Sequence, residues 1–239
     1  MTANAPGTPR FELRGVAVRR EGRTVLAVPH LDLAEARVGV IGANGSGKST
    51  LLRLLNGLLA PTSGTVTLDG LDCVRDGRAV RRRVGFVFAD PGDQIVLPVV
   101  ADDVAFGLKN RGVPGPQRAA MVREQLDRLG ATALADRSAH SLSSGERQLV
   151  ALAGVLVMNP ATLVLDEPTG TLDLTNALRF ARLLAGLDLQ AVVASHDLAL
   201  LAGFDRVLVL DGGRVVADDD PAAAVAAYRS LVARAAVSR

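Results

Sequence analysis

Short β-rich runs alternate with turn signals such as Glu21-Gly22 between Arg10 and Ala36, a pattern that predicts antiparallel strands. Arg37 to Ile41 is a brief apolar run leading into glycines, and leucines then recur at helical spacing from Ser49 to Leu59. Thr65 to Leu68 and Val84 to Phe88 read as further strands. Pro98 to Ala135 has a helical pattern broken by Gly112-Val113-Pro114-Gly115, and Ser144 to Met158 is helical again. Strand Thr162 to Leu165, helix Thr175 to Leu187, strand Gln190 to Ala194 and strand Arg206 to Leu210 follow. Asp211-Gly212-Gly213 joins two β-rich runs as a hairpin, and an alanine-rich helix closes the chain. Strands alternating with helices predict an α/β fold with a mainly parallel sheet covered on both faces.

Composition narrows this picture without changing it. The 239 residues are 49% hydrophobic and 22% charged, as in a globular protein. Aromatics are scarce, so Leu, Val and Ala must fill the core. A net charge of +2 is too weak to argue for a nucleic-acid partner, and none is expected. The run Arg81-Arg82-Arg83 reads as a solvated helix end. A lone cysteine, Cys73, cannot form an internal disulfide, and with no signal peptide visible this fits a reducing cytosol. No uncharged apolar run approaches the ~20 residues of a membrane span, so any membrane association is expected to be peripheral.

Two motifs carry chemistry. Gly42-Ala43-Asn44-Gly45-Ser46-Gly47-Lys48-Ser49-Thr50 matches the phosphate-binding pattern G-x-x-x-x-G-K-[ST] between an apolar strand and a leucine-rich helix. Its glycines let backbone N–H groups wrap a nucleotide's phosphates at a helix N-terminus. Lys48 is expected on the β- and γ-phosphates and the Ser49 hydroxyl on Mg²⁺. Downstream, the strand Thr162-Leu163-Val164-Leu165 delivers Asp166 and Glu167 at its carboxyl end, where ligands bind in open α/β sheets. Asp166 is expected in the Mg²⁺ shell, directly or through water. Glu167 is expected to polarise the attacking water as general base.

Ser141-Leu142-Ser143-Ser144-Gly145-Glu146-Arg147-Gln148 opens a helix ahead of that pair. Alone, Ser-x-x-Glu is a capping box. In this position it resembles the LSGGQ signature of ATP-binding-cassette proteins, with Ser144 for the first glycine and Glu146 for the glutamine. Gly170-Thr171-Leu172-Asp173 resembles that family's D-loop, and Ser195-His196-Asp197 its switch histidine. The resemblance implies a single P-loop ATPase domain over residues 1–239. Its nucleotide-binding core, with an N-terminal antiparallel β-subdomain, would span roughly 1–88 and 159–239, and a helical insertion roughly 89–158. It also implies a homodimer in which Ser143 and Gly145 of one copy face the ATP held by the other, Asp173 lies at the seam, and His196 contacts the γ-phosphate. His30 and His140 have no such context and read as structural.

The chain departs from the family twice. Ala89 stands where the family's Q-loop glutamine ligates Mg²⁺, leaving Asp90 or water as substitutes, and Gln94 aligns with a later glutamine. No aromatic lies between Gly15 and Ala36 to stack on adenine. Arg20 falls nearest that position, and its planar guanidinium can stack instead, or simply face solvent. The stretch Phe88 to Gly107 resembles the ATPases of energy-coupling-factor importers, which work with a transmembrane coupling protein and a membrane substrate-binding protein. The resemblance implies a peripheral subunit at the cytoplasmic face of a bacterial membrane. Gln94-Ile95-Val96-Leu97-Pro98 is similar to the biotin branch, with cobalt or nickel importers as the alternative. Ile95 to Val100 is expected either near the groove for the transmembrane partner or buried in the chain's own helices. A soluble, non-transport cassette ATPase is a further alternative, but such proteins usually carry two cassettes or a coiled-coil insertion.

Overall fold

The computed structural model describes residues 7–237, so the outermost ends of the expected domain, 1–6 and 238–239, lie outside the described residues. Strands β1 (Phe11–Arg20) and β2 (Arg23–Leu33) form the expected hairpin, with Glu21 and Gly22 both at positive φ, 49° and 75°. Burial along β1 changes phase at Gly15: Phe11 and Leu13 point inward, then Val16 and Val18. Gly15, at φ +60°, absorbs the extra residue as a bulge, which keeps both apolar pairs on one face.

Next comes β3 (Arg37–Gly42), and helix α1 (Lys48–Leu55) follows the glycine loop. The helix stops at Leu55 rather than Leu59. At Gly57, φ +68°, an added Cβ would sit 2.0 Å from the Cys73 carbonyl, so two backbones meet where another turn would run. Cys73 itself is buried, and desolvation pushes its thiol up to about 12. Strands β4 (Ser63–Leu68) and β5 (Leu71–Asp72) complete a four-stranded antiparallel sheet of order β2-β1-β4-β5. Helix α2 (Gly77–Arg83) ends on the arginine run: Arg81 and Arg82 are exposed, and Arg83 pairs with Asp69.

Strand β6 (Val84–Val87) leads into three helices, α3 (Val100–Asn110), α4 (Gly115–Arg128) and α5 (Ser144–Leu156), the first two parted at the expected Gly-Val-Pro-Gly break. Val104, Leu108, Val122, Leu126 and Val150 pack among them. The remaining elements are β7 (Thr162–Asp166), α6 (Leu174–Ala185), β8 (Gln190–Ala194), α7 (Leu198–Leu201), β9 (Arg206–Asp211), β10 (Arg214–Asp219) and α8 (Pro221–Val237).

A second sheet has the order β10-β9-β3-β8-β7-β6. All its neighbours are parallel except β9 and β10, which form the expected hairpin. Every residue of β7 and β8 is buried, as strands covered on both faces require. One face packs with α1 against the antiparallel sheet, through Phe11, Leu26, Leu52 and Val192. The other packs against the helices, through Leu163, Val193 and Leu152. The carboxyl ends of β3, β7 and β8 therefore lie side by side, and the candidate chemistry gathers there. Among the described residues no helix is long and apolar enough to cross a membrane.

Candidate active site

Between β3 and α1 the chain wraps a cleft of about 470 Å³ lined by Arg20, Val25, Asn44, Gly45, Ser46, Gly47, Lys48, Ser49, Thr50 and Glu167. Gly45 and Gly47 take φ of 80° and 105°, which an L side chain rarely adopts. Gly42 lies beneath the loop, where a Cβ would come within 2.3 Å of the Leu210 carbonyl. Lys48 is 7% exposed, and its ammonium donates to the carbonyls of Gly42 (2.8 Å) and Ala43 (3.4 Å). It also stands 3.5 Å from Glu167 Oε1. A buried ammonium must be paired, and the loop's own carbonyls and Glu167 do the pairing.

At the end of β7, Asp166 Oδ1 accepts a hydrogen bond from Ser49 Oγ at 3.0 Å. Burial pushes the Asp166 carboxyl above its ordinary value, against the opposing pull of the Ser49 hydroxyl and the nearby Arg53 and Lys48 cations. The hydroxyl and the carboxylate are hard oxygen donors, which fit a small divalent cation. Among the described residues no cluster of three or more His, Cys, Asp and Glu could hold a metal ion.

Glu167 adopts φ +49°, an uncommon conformation for a residue with a side chain, costing about 1–2 kcal/mol. Its N–H donates to the Ala194 carbonyl at 2.8 Å, while its Oε2 meets His196 Nδ1 at 2.7 Å and accepts from the His196 N–H at 3.0 Å. The strained turn aims the carboxylate between Lys48 and His196.

Ser143, Gly145 and Asp173 form a separate cluster. Ser143 caps α5 in a complete capping box: its Oγ accepts from the Glu146 N–H, and Glu146 Oε2 accepts from the Ser143 N–H. These bonds and Arg137, 2.7 Å away, hold the Glu146 carboxyl below its ordinary value. Ser143 uses its oxygen as acceptor here, so its O–H remains a donor. Asp173 caps α6 and also accepts from the Asn176 side chain, which packs so close to Gly145 that a Cβ there would meet it at 2.7 Å. None of these three residues lines the phosphate cleft.

A family model described as ABC transporter matches residues 31–170. The chain belongs to the ABC transporter family. It binds ATP and is an ATPase coupled to transport. The biotin transport ATP-binding protein BioM of Rhizobium etli is 49% identical to it, over 94% of this chain and 99% of that one. The cobalt import ATP-binding protein CbiO of Syntrophus aciditrophicus is 42% identical, over 77% and 68%. The solved structure of cbiO1 from Clostridium perfringens, part of the ABC transporter complex cbiONQ, is 32% identical with a TM-score of 0.81, covering 94% of this chain and 93% of that one.

In this ABC ATPase Arg20, at the end of β1, reaches the wall of the phosphate cleft. Ala89 is exposed beyond β6. Asp90, which the sequence leaves as a stand-in ligand, spends Oδ1 capping a turn at the Gly92 N–H (2.7 Å) and does not line the cleft. His30 lies on β2 beside Arg14 and Asp32, and His140 is exposed. Val96 is 63% exposed, whereas Ile95 and Val100 pack into the core, so the segment Ile95 to Val100 is divided between surface and interior. A larger cleft, about 810 Å³, lies at the opposite end of the parallel sheet, around Arg37, Gln190 and Asp205. Its Arg37 guanidinium is taken up by the carbonyls of Leu184, Leu187 and Leu189, and it has no phosphate loop, so size does not make it the site.

Sequence reasoning missed Gly213, read only as a turn residue. Its N–H donates to the Ser46 carbonyl (3.1 Å) and its carbonyl accepts from the Ala27 N–H (2.7 Å), so the β9–β10 hairpin braces the phosphate loop against β2. Gly212 and Gly213 form a two-residue hairpin loop with both φ positive, for which Gly-Gly is an ordinary pair, so the sequence held no signal of this brace.

Proposed function

We propose that two copies of this chain form the ATP-hydrolysing motor of an energy-coupling-factor importer for biotin, bound peripherally at the cytoplasmic face of the cell membrane. In this reading residues 1–239 are one ATPase domain with a helical insertion over roughly 89–158. A transmembrane coupling protein and a membrane substrate-binding protein complete the complex. The observation that carries the dimer is the division of the site: the phosphate cleft is in one cluster, and Ser143, Gly145 and Asp173 are in another that does not line it. A second copy, turned to face the first, supplies the missing half to each cleft.

Within one site the loop N–H groups from Gly42 to Thr50 bind the phosphates, and Lys48 leaves its carbonyl partners for the β- and γ-phosphate oxygens. Arg20 stacks on the adenine. Ser49 and Asp166 would hold Mg²⁺, which would supply neutralisation of charge on the phosphates. Glu167 takes a proton from the attacking water, oriented by His196, which also contacts the γ-phosphate. Ser143 and the N-terminus of α5 grip the γ-phosphate from the second copy, and Asp173 lies across the seam.

The 49% identity to a biotin transport ATP-binding protein over nearly the whole of both chains supports biotin. The likeness to a cobalt import ATP-binding protein supports a metal ion, cobalt, as the second reading. The chain is to be expressed with candidate membrane coupling and substrate-binding proteins from the same genome, and ATP-dependent uptake of labelled biotin, cobalt and nickel measured. Biotin uptake that requires this chain supports the first reading, and metal uptake alone supports the second. Failure to assemble with any membrane protein would refute the transport role.

A further inference from the structure

The Gln94 side chain bridges the end of β6 and helix α5 by two hydrogen bonds. Its Oε1 accepts from the Phe88 N–H at 3.2 Å, and its Nε2 donates to the Ala151 carbonyl at 2.8 Å. Phe88 directly follows β6, which pairs with β7 in the register Val87↔Leu165, one step before Asp166 and Glu167. Ala151 is buried in α5, two turns beyond Ser143. Only one orientation of the amide meets both partners, oxygen to N–H and nitrogen to carbonyl, so its assignment is unambiguous. The turn that presents it is built for the purpose: Asp90 caps it, and the Gln94 N–H closes on the Pro91 carbonyl. Elsewhere α5 touches β6 by close packing, Val155 lying where a Cβ of Gly85 would be, a contact that permits rocking but gives no direction.

We infer that Gln94 is a positioning residue for ATP hydrolysis: it ties the strand end beside the Asp166–Glu167 pair to the helix that carries Ser143 and Gly145. The inference rests on the dimer reading, since α5 acts on the nucleotide of the other copy. Gln94 touches no nucleotide. It sets the angle at which the N-terminus of α5 is presented, so it affects turnover in the closed dimer and leaves binding in the single chain alone.

The test uses the full chain with Gln94→Met, which keeps length and loses both bonds, and Gln94→Glu. In the Gln94→Glu variant an ionised carboxylate repels the Ala151 carbonyl, whereas a protonated carboxyl both accepts and donates as the amide does. Affinity for a fluorescent ATP analogue is measured at concentrations where the chain is monomeric, and steady-state turnover where it dimerises. For Gln94→Met the expected result is affinity within twofold of wild type and kcat lowered about tenfold. For Gln94→Glu the turnover ratio to wild type at the same pH should rise several-fold from pH 8 to pH 5.5. The inference is overturned if Gln94→Met keeps kcat within twofold, if affinity falls in step with kcat, or if the Gln94→Glu ratio is flat with pH. Wild-type turnover per chain that fails to rise with chain concentration overturns the dimer reading instead. If Gln94→Met does not fold, the pH ratio of Gln94→Glu decides by itself.

Discussion

Replacing Glu167 by glutamine keeps the shape at the end of β7 and removes the negative charge. The carboxylate now accepts from the His196 N–H at 3.0 Å, meets Nδ1 at 2.7 Å and lies 3.5 Å from Lys48. Glutamine retains an oxygen for His196 but no longer attracts the ammonium. Two effects of opposite sign follow. Loss of a positioned general base lowers turnover by about 10²–10⁴, or about 3–5 kcal/mol of barrier. Loss of the Lys48 pair removes an attraction that competes with phosphate. The pair joins a buried ammonium to a carboxylate only 21% exposed, so its loss should leave ATP affinity equal or raised. The assay is single-turnover hydrolysis of γ-labelled ATP with Mg²⁺, alongside nucleotide titration and size-exclusion chromatography. The expected variant binds ATP as well as wild type or better, hydrolyses it at least a hundredfold more slowly, and elutes as an ATP-bound dimer. Turnover within tenfold of wild type would refute Glu167 as the base. Weaker ATP binding would refute the view that Lys48 is held by Glu167 in competition with phosphate.

Gly213→Ala and Gly212→Ala form a controlled pair. Both positions have positive φ, but a Cβ on Gly213 meets the Val25 carbonyl at 2.6 Å while one on Gly212 meets nothing within 4 Å. Gly212→Ala should cost about 1 kcal/mol and Gly213→Ala about 2–4 kcal/mol by urea unfolding, with weaker nucleotide binding only for the latter. Ala89→Gln should leave ATP affinity within a few-fold, because a water readily replaces one neutral ligand of Mg²⁺, and should change partner-stimulated ATPase more than basal ATPase; equal changes would confine position 89 to the metal site. Charge at exposed Val96 (Val96→Glu) should block assembly with the membrane partner and spare nucleotide binding, and undiminished assembly would refute a docking role for this side chain. Arg14 and Arg10 hold the Asp32 carboxyl at about 2, below its ordinary 3.8. A lowered folded-state value means stability that is present above about pH 4 and lost as pH falls toward 2, so Asp32→Asn should flatten the acid limb of a stability–pH curve.

The sequence by itself determined the α/β class, the hairpins at Glu21-Gly22 and Asp211-Gly212-Gly213, the broken helices after β6 and the phosphate loop. All of these are written in short-range periodicity and spacing, and the backbone conformations they demand are satisfied locally. The signature helix could be located the same way, because its capping box is a contact between residues three apart. Tertiary structure decided the rest. The end of α1 was set by the Cys73 carbonyl, the positive φ of Glu167 by bonds to Ala194 and His196, and the bracing of the phosphate loop by Gly213. Gln94 found its partner on α5, and the two halves of the candidate site were left apart. The Glu167 and Gly213 contacts depend on the order β10-β9-β3-β8-β7-β6, which places strands together that are distant in the chain. A hydrogen bond across such a sheet leaves no periodic trace in either segment, since each residue type would suit many other partners equally well.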